Sequence, residues 1–165
     1  MWRHLSERGV KTSMPAEFSG NIAHTLDLKG RAIIPAAYRE QLGDDFTIGL
    51  NNEFVAIALY PKSKWTSIGD KLSQIPESDV RGMRYVRQIN GNSFPNCALD
   101  AQGRVLLPPT LRTKAGMTKN VRFVGIGDHL EIWDEERFIA HSEATESDLI
   151  NLLDYVNDQY FKPRP

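Results

Sequence analysis

The stretch His24-Thr-Leu-Asp-Leu-Lys-Gly-Arg-Ala-Ile-Ile-Pro-Ala-Ala-Tyr-Arg39 recurs 73 residues later as Cys97-Ala-Leu-Asp-Ala-Gln-Gly-Arg-Val-Leu-Leu-Pro-Pro-Thr-Leu-Arg112. Six of the sixteen positions are identical: Leu26/Leu99, Asp27/Asp100, Gly30/Gly103, Arg31/Arg104, Pro35/Pro108 and Arg39/Arg112. The same offset relates Gly43 to Gly116 and Tyr60 to Trp133. A repeat at a fixed offset indicates two copies of one structural module.

Each copy has the pattern of a strand, a tight turn, a second strand and a short helix. In the first copy the strands are predicted at residues 22–26 and 31–34. Between them, Asp-x-x-Gly-Arg predicts a turn in which the Asp27 carboxylate accepts local backbone N–H groups and Gly30 takes a positive φ. Pro35 suits the first turn of the helix and Gly43 its end. The second copy has the same residue types at Asp100, Gly103, Pro108 and Gly116.

A pair of strands and a further helix complete each copy. The strand pairs are predicted at 46–50 with 53–60 and at 121–126 with 129–133, and the helices at 61–72 and 134–141. Strands this short are not stable as isolated ribbons, so the two copies are expected to pair with each other in one β-barrel. The predicted fold is mainly β with helices, an α+β fold, in which two tandem half-modules form a pseudo-symmetric barrel.

The repeat also divides the chain into segments. We predict a flexible N-terminal extension, a first module, a helical linker, a second module, and a C-terminal helix with a tail, at residues 1–17, 20–67, 68–93, 94–140 and 141–165. The linker helix, at 79–89, has Val80, Met83, Val86 and Ile89 on one side. The C-terminal helix, at 146–160, has an apolar face opposite acidic residues, which is more typical of packing than of ligand binding.

Composition limits the class of protein. The 165 residues are 41% hydrophobic and 25% charged, enough for one respectable core or two small ones. The single cysteine, Cys97, excludes an internal disulfide framework and fits a reducing compartment, so we expect a cytoplasmic protein. The longest apolar run, residues 54–60, is too short to cross a bilayer, and residues 1–13 lack the apolar region of a signal peptide.

Charge is unevenly distributed along the chain. The formal net charge is -1, from 20 Lys and Arg against 21 Asp and Glu. Residues 1–77 are neutral overall, residues 78–122 carry +6, and residues 123–165 carry -7. The basic part could face a polyanion while the acidic part faces elsewhere, or the two parts could pair within one molecule.

The duplicated Asp-x-x-Gly-Arg-x-x-x-Pro motif resembles the AbrB/SpoVT family of swapped-hairpin DNA-binding modules. Two copies in a chain of this length, with Phe18-Ser19-Gly20 before the first and Leu130-Glu131-Ile132-Trp133 after the second, resemble the MraZ family within it. The likeness runs from about Phe18 to Phe138. It implies a double-split, swapped-hairpin barrel.

The resemblance also implies a function. MraZ proteins are bacterial transcriptional regulators of the division and cell-wall gene cluster downstream of their own promoter, form rings of identical subunits, and bind G-rich direct repeats. The implied partners are therefore double-stranded DNA and further copies of the chain, and the implied location is the nucleoid. Two features depart from the family pattern. Residues 1–17 precede the Phe18-Ser19-Gly20 element near which the family usually begins, which makes Met14 a candidate translation start. In the second copy, Gln102 stands at the position of Lys29.

The candidate DNA-binding residues lie in the two turns: Lys29, Arg31, Gln102 and Arg104. Arginine suits bidentate contact with guanine, whereas lysine acts mainly as a point charge on phosphate. Asp27, Gly30, Asp100 and Gly103 are expected to shape the turns, because a carboxylate facing phosphate is repelled. Arg31 and Arg104 could instead pair with Asp27 and Asp100 to hold the turns. Arg39 and Arg112 lie on predicted helices with an apolar face, so we expect them to take part in packing or in pairing between subunits.

Two other functions are compared with DNA binding on the same residues. An enzyme is disfavoured because the four histidines lack metal-ligand spacing and Gly125-x-Gly127 lacks the third glycine of a dinucleotide loop. We therefore expect no catalytic residues, metal, cofactor or small-molecule substrate. The other is an antitoxin-like protein-binding module for which DNA binding is secondary, which the acidic C-terminal part favours.

Overall fold

The structure, a computed structural model, describes residues 17–143, 146–163 and 165. The predicted N-terminal extension lies outside the described residues except for Glu17. The chain divides into two compact units, one ending at Glu135 and one starting at Glu136. None of the helices in the described ranges has the length and apolar character that a bilayer crossing requires.

The elements follow the predicted repeat. The first copy contains β1 (Asn21–Thr25), β2 (Arg31–Ile33), α1 (Ala36–Leu42), β3 (Phe46–Leu50), β4 (Ile57–Pro61) and α2 (Lys62–Leu72). After α3 (Val80–Gly91), the second copy contains β5 (Phe94–Cys97), β6 (Arg104–Leu106), α4 (Pro109–Lys114), β7 (Asn120–Gly125), β8 (Leu130–Asp134) and α5 (Glu135–Ser142). In the second unit, α6 (Glu146–Val156) continues into a π-helical turn (Asn157–Phe161). The α+β prediction and the tandem arrangement are confirmed.

The strands are exchanged between the modules. A six-stranded antiparallel sheet has the order β1-β7-β8-β4-β3-β5, and β2 and β6 form a separate two-stranded ribbon. Thus β1 pairs with the third strand of the second module and β5 with the third strand of the first. The strands on either side of each tight turn therefore pair across the modules and not with each other, as the swapped arrangement requires.

The core is built from pairs of residues related by the repeat. Among the fully or almost fully buried side chains are Ile34 and Leu107, Ile48 and Val121, Ile57 and Leu130, and Leu59 and Ile132. At the centre, β4 and β8 lie antiparallel with Ile57 opposite Ile132 and Leu59 opposite Leu130. The two modules share one hydrophobic core, as expected for strands too short to be stable in either module alone.

Two details differ from the prediction. The strand predicted from residue 53 begins at Ile57, because the Asn51 side-chain Oδ1 accepts hydrogen bonds from the backbone N–H groups of Val55 (3.0 Å) and Ala56 (3.2 Å). These bonds hold residues 51–56 in a loop. On α3, Met83, Val86 and Ile89 are partly covered, but Val80 is exposed. The module boundaries drawn from the sequence stay predictions.

Candidate nucleic-acid interface

The two tight turns have nearly the same hydrogen bonds. In turn 1 (residues 27–31), Asp27 Oδ1 accepts from the backbone N–H groups of Lys29 and Arg31, both at 2.9 Å. In turn 2 (residues 100–104), Asp100 Oδ1 accepts from those of Gln102 (2.9 Å) and Arg104 (2.8 Å). The backbone N–H of the arginine is the main reason why the pKa of each aspartate lies below its usual value. Both carboxylates are therefore charged near neutral pH.

Each aspartate also pairs with the arginine of its own turn. The Nε of Arg31 lies 2.6 Å from Asp27 Oδ2, and the Nε of Arg104 lies 2.8 Å from Asp100 Oδ2. The arrangement considered as an alternative from the sequence, in which the arginines hold the turns, is thus present. It is compatible with DNA contact, because within the described residues the terminal guanidinium nitrogens of Arg31 and Arg104 have no hydrogen-bond partner.

The ribbon brings the two arginines onto one face. In the β2–β6 register, Arg31 lies opposite Leu106 and Arg104 lies opposite Ile33, while Ala32 and Val105 between them are buried. Because side chains alternate along a strand, these four outer residues share the other face. Ile33 is 43% exposed and Leu106 is 53% exposed. The outer face of the ribbon therefore presents two arginines and two aliphatic side chains to solvent.

Arg39 and Arg112 reach the turn of the opposite module. The Nε of Arg112 donates to the Leu107 carbonyl (3.0 Å), and its guanidinium packs on Gly30. Likewise, the Nε of Arg39 donates to the Ile34 carbonyl (2.7 Å), and its guanidinium packs on Gly103. Of the two roles weighed from the sequence, packing is the one observed, and it is within the chain.

This contact explains why glycine recurs in the turns. Gly30 has a φ of +82° and Gly103 a φ of +74°, both in the region that favours glycine. In addition, a Cβ atom on Gly30 would overlap the Arg112 guanidinium, and one on Gly103 would overlap that of Arg39. Sequence reasoning did not place these two arginines beside the turns. The signal was the repeat itself, which contains both.

A family model described as "MraZ protein, putative antitoxin-like" matches residues 18–86 and 95–153. The first matched segment contains turn 1 and the second contains turn 2, and together they cover well over half of the chain. The chain belongs to the MraZ family. The resemblance inferred from the repeated turns is confirmed, and the match to the MraZ model extends beyond Phe138 to residue 153.

Individual MraZ relatives match along most of their length. A protein from Natranaerobius thermophilus named transcriptional regulator MraZ is 38% identical over 146 residues, which cover 86% of this chain and 97% of the relative. Proteins of the same name from Limosilactobacillus fermentum and Leuconostoc citreum are 37% and 33% identical. They cover 82% and 86% of this chain, and 93% and 97% of their own lengths.

A second polar cluster of this MraZ family member lies apart from the turns. The Glu131 carboxylate is buried and accepts hydrogen bonds from Asn51 Nδ2 (3.0 Å) and Trp133 Nε1 (2.9 Å). Burial raises the pKa of Glu131, but the nearby His129 and the hydrogen bonds from Trp133 and Asn51 outweigh it, and the pKa lies below its usual value. For His129, burial lowers the pKa, but Glu131 and Asp128 outweigh it and the pKa is raised.

The geometry of this cluster indicates a structural role. Asn51 belongs to the first module and Glu131 to the second, so their hydrogen bond joins the two halves. The residues that the structure describes contain no group of three or more His, Cys, Asp or Glu that could hold a metal ion. The turns and the ribbon are therefore the better candidate site.

Proposed function

We propose that this chain is a transcriptional regulator that binds G-rich direct repeats in DNA, with the β2–β6 ribbon in the major groove. The observation that carries the proposal is the position of Arg31 and Arg104 on one exposed face of that ribbon. The relatives that match along most of the chain are named transcriptional regulators.

The dimensions of the ribbon suit this role. The major groove of B-DNA accepts a two-stranded β-ribbon, and arginine contacts the O6 and N7 atoms of guanine in a bidentate manner. Arg31 lies opposite Leu106, two residues from Arg104, and such diagonal neighbours are about 7–8 Å apart. This spacing corresponds to about two base-pair steps of roughly 3.4 Å. The two arginines are therefore suited to guanines within one short G-rich repeat.

The ion pairs to the aspartates support base reading. A free arginine side chain would lose rotamer entropy when it is ordered against a base. In each turn the Nε is already bound by an aspartate, which orients the guanidinium before DNA arrives. The aspartates thus act through the arginines and do not themselves contact DNA.

Self-association would strengthen binding to repeats. The ribbon and its two turns carry few of the chain's cations and the net charge is -1, so one ribbon on one repeat would bind weakly. Linking several ribbons in one assembly can raise avidity by about 10² to 10⁴. We propose a ring, because head-to-tail interfaces point every subunit the same way round, as direct repeats do. The exposed Leu149, Leu152 and Leu153 of α6 favour self-association.

The proposed targets are repeats at the promoter of the chain's own gene, upstream of the division and cell-wall cluster, and the proposed location is the cytoplasm, at the nucleoid. The test is fluorescence anisotropy with duplexes from that upstream region, carrying intact or scrambled repeats. Binding should be repeat-dependent, fall as salt rises, and be lost in Arg31→Ala. In the charge-matched control Arg31→Lys, non-specific binding should remain while the preference for intact repeats disappears, because lysine lacks the bidentate fork.

Two results would refute the proposal. One is equal binding of wild type to intact and scrambled repeats. The other is unchanged repeat binding by a folded Arg31→Ala variant, which would leave Arg31 only the role of holding turn 1.

A second function, an antitoxin-like protein-binding module, is favoured by the family description and by the C-terminal residues. The helix α6 has Glu146 and Asp148 in its first turn and exposed apolar side chains. Salt dependence separates the two functions. Phosphate contacts make log affinity fall linearly with log salt, whereas apolar docking of a protein partner depends only weakly on salt.

A further inference from the structure

The two turns differ in charge although their backbones match. In the part of the chain that the structure describes, two carboxylates lie in or beside turn 1, those of Asp27 and of Asp134, which binds Thr118, together with four basic residues: Lys29, Arg31, Arg112 and Lys119. Among the residues that the structure describes, three basic side chains, Arg39, Arg104 and Lys62, lie in or beside turn 2 with three carboxylates, those of Asp44, Asp45 and Asp100. The pseudo-symmetric scaffold therefore has one strongly basic end and one that is not.

The surroundings of the turns cause this difference. The backbone N–H of Leu26 donates to the Lys119 carbonyl (2.8 Å), which places Lys119 beside turn 1. At the 73-residue offset, the positions of Met117, Thr118 and Lys119 correspond to Asp44, Asp45 and Phe46.

Asp44 and Asp45 lie near the entrance to turn 2. Phe46, the first residue of β3, lies opposite Cys97, the last residue of β5, so Asp44 and Asp45 just before Phe46 lie close to the chain that enters turn 2. Burial raises the pKa of the Cys97 thiol, and the nearby Asp45 carboxylate raises it further. Lys62 Nζ lies 3.2 Å from Asp45 Oδ2 and offsets part of this negative charge.

Turn 1 also borders a cleft of about 500 Å³. Its polar lining includes Asp27, Arg112, Thr118 and Lys119. Both Asp27 carboxylate oxygens are occupied by turn 1 itself, and the Thr118 hydroxyl donates to Asp134 Oδ1 (2.7 Å). Of the polar side chains lining the cleft, the terminal nitrogens of Arg112 and the ammonium of Lys119 have no hydrogen-bond partner among the described residues, and both groups are cationic donors.

We propose that this cleft holds one phosphate of the DNA backbone and that turn 2 makes no equivalent contact. This inference rests on the proposed function, since it requires the ribbon to be on DNA. Arg112 and Lys119 would neutralise the phosphate from two sides, whereas a phosphate approaching turn 2 would meet the charges of Asp44 and Asp45. The ribbon would therefore dock with its turn 1 end anchored, and a nearly symmetric ribbon would have a defined direction on each repeat.

The first test measures how affinity for the intact repeats depends on salt. Each phosphate contact contributes about -0.9 to the slope of log affinity against log salt. Lys119→Gln should weaken binding and make the slope shallower by about 0.9 for each bound subunit. A lysine added at the other end by Gln102→Lys, at the position that corresponds to Lys29, should leave the slope unchanged, because the carboxylates keep phosphate away. An unchanged slope in Lys119→Gln, or a slope steeper by about 0.9 in Gln102→Lys, would overturn the inference.

The second test locates the phosphate. Uncharged methylphosphonate linkages are placed one at a time along each strand of a repeat. At one position the linkage should weaken binding of the wild type and have no effect on Lys119→Gln. Equal effects on both proteins at every position would exclude a phosphate in the cleft. Lys119 is exposed, so an unchanged circular dichroism spectrum and melting temperature are expected for the variant.

The two proposals fail in different ways. If the wild type binds intact and scrambled repeats equally, both the proposed function and the inference are refuted. If binding is repeat-dependent and requires Arg31, but Lys119→Gln keeps the wild-type slope, only the phosphate site is refuted.

Discussion

Replacing Gly30 with alanine should destabilise the protein for two separable reasons. The φ of +82° at Gly30 is one that an alanine adopts at a cost of about 1–2 kcal/mol. The new Cβ would also displace the Arg112 guanidinium, whose Nε donates to the Leu107 carbonyl at 3.0 Å. Losing a hydrogen bond from a charged group costs about 1.5–3 kcal/mol. The free energy of unfolding should therefore fall by about 2.5–5 kcal/mol.

Gly43 provides the control for backbone strain. Its φ is +76°, close to that of Gly30, but a Cβ atom there would have no neighbour within 4 Å. The ψ of Gly43 is -166°, which together with the positive φ is a conformation almost confined to glycine, so Gly43→Ala should cost only backbone strain, about 1–3 kcal/mol. Both variants are compared with the wild type by urea denaturation, followed by tryptophan fluorescence, to which the buried Trp133 contributes, at one protein concentration so that self-association does not bias the result.

A double-mutant cycle isolates the contact between Gly30 and Arg112. In an Arg112→Ala background there is no guanidinium to displace, so Gly30→Ala should cost only about 1–2 kcal/mol. The coupling energy should be about 1.5–3 kcal/mol. An absence of coupling between Gly30→Ala and Arg112→Ala would refute the idea that the second module's arginine supports turn 1.

Three further predictions concern the core and the polar cluster. Leu107→Ala should lower the free energy of unfolding by about 2–5 kcal/mol, because Leu107 is fully buried. Leu106→Ala, at the exposed neighbouring position, should change it by about 0.5 kcal/mol or less. Chemical denaturation measures both. Because the pKa of His129 is raised in the folded state, its stabilisation is complete below pH 6.5 and is lost as pH rises through the folded pKa. The melting temperature of His129→Gln should therefore not show this fall as pH rises. A pH profile of melting temperature identical to that of the wild type would contradict the stabilising role of His129. For Glu131 the pKa is lowered in the folded state, so its stabilisation is present above pH 4.5 and is lost as pH falls through the folded pKa. In Glu131→Gln the fall in melting temperature at acid pH should therefore be smaller than in the wild type. An equal fall in both proteins would contradict the stabilising role of Glu131.

Local sequence patterns were sufficient to predict most of the elements. The Asp27 and Gly30 turn, the helix after Pro35, and the strand pairs all depend on neighbouring residues, and the repeat supplied each pattern twice. The start of β4 was missed because Asn51 is compatible with a strand until its side chain binds the backbone of Val55 and Ala56. That competition between side chain and backbone depends on a loop geometry that residue type alone does not specify.

Local sequence patterns do not predict which strands pair; that information came from the structure or from the family resemblance. Turn 1 would look the same in the sequence if β1 paired with β2 or if both paired with the second module. The two arrangements differ only in long-range contacts, such as the hydrogen bond from the Ile34 N–H to the Gly103 carbonyl (2.9 Å). The same holds for the candidate site, since the repeat marked Arg31 and Arg104 but only the register shows that they share a face.

The exchange of arginines between modules links the stability of the fold to the candidate site. Arg112 of the second module packs on turn 1, which carries Arg31, and Arg39 of the first module packs on turn 2, which carries Arg104. Each turn therefore has its full set of contacts only when both modules are folded and paired. The repeated glycine and the repeated helical arginine serve one contact, and a substitution at either position should affect both unfolding and the orientation of the guanidinium groups proposed to meet DNA. Duplication of the module thus provides both arginines of the ribbon and the contacts that support them.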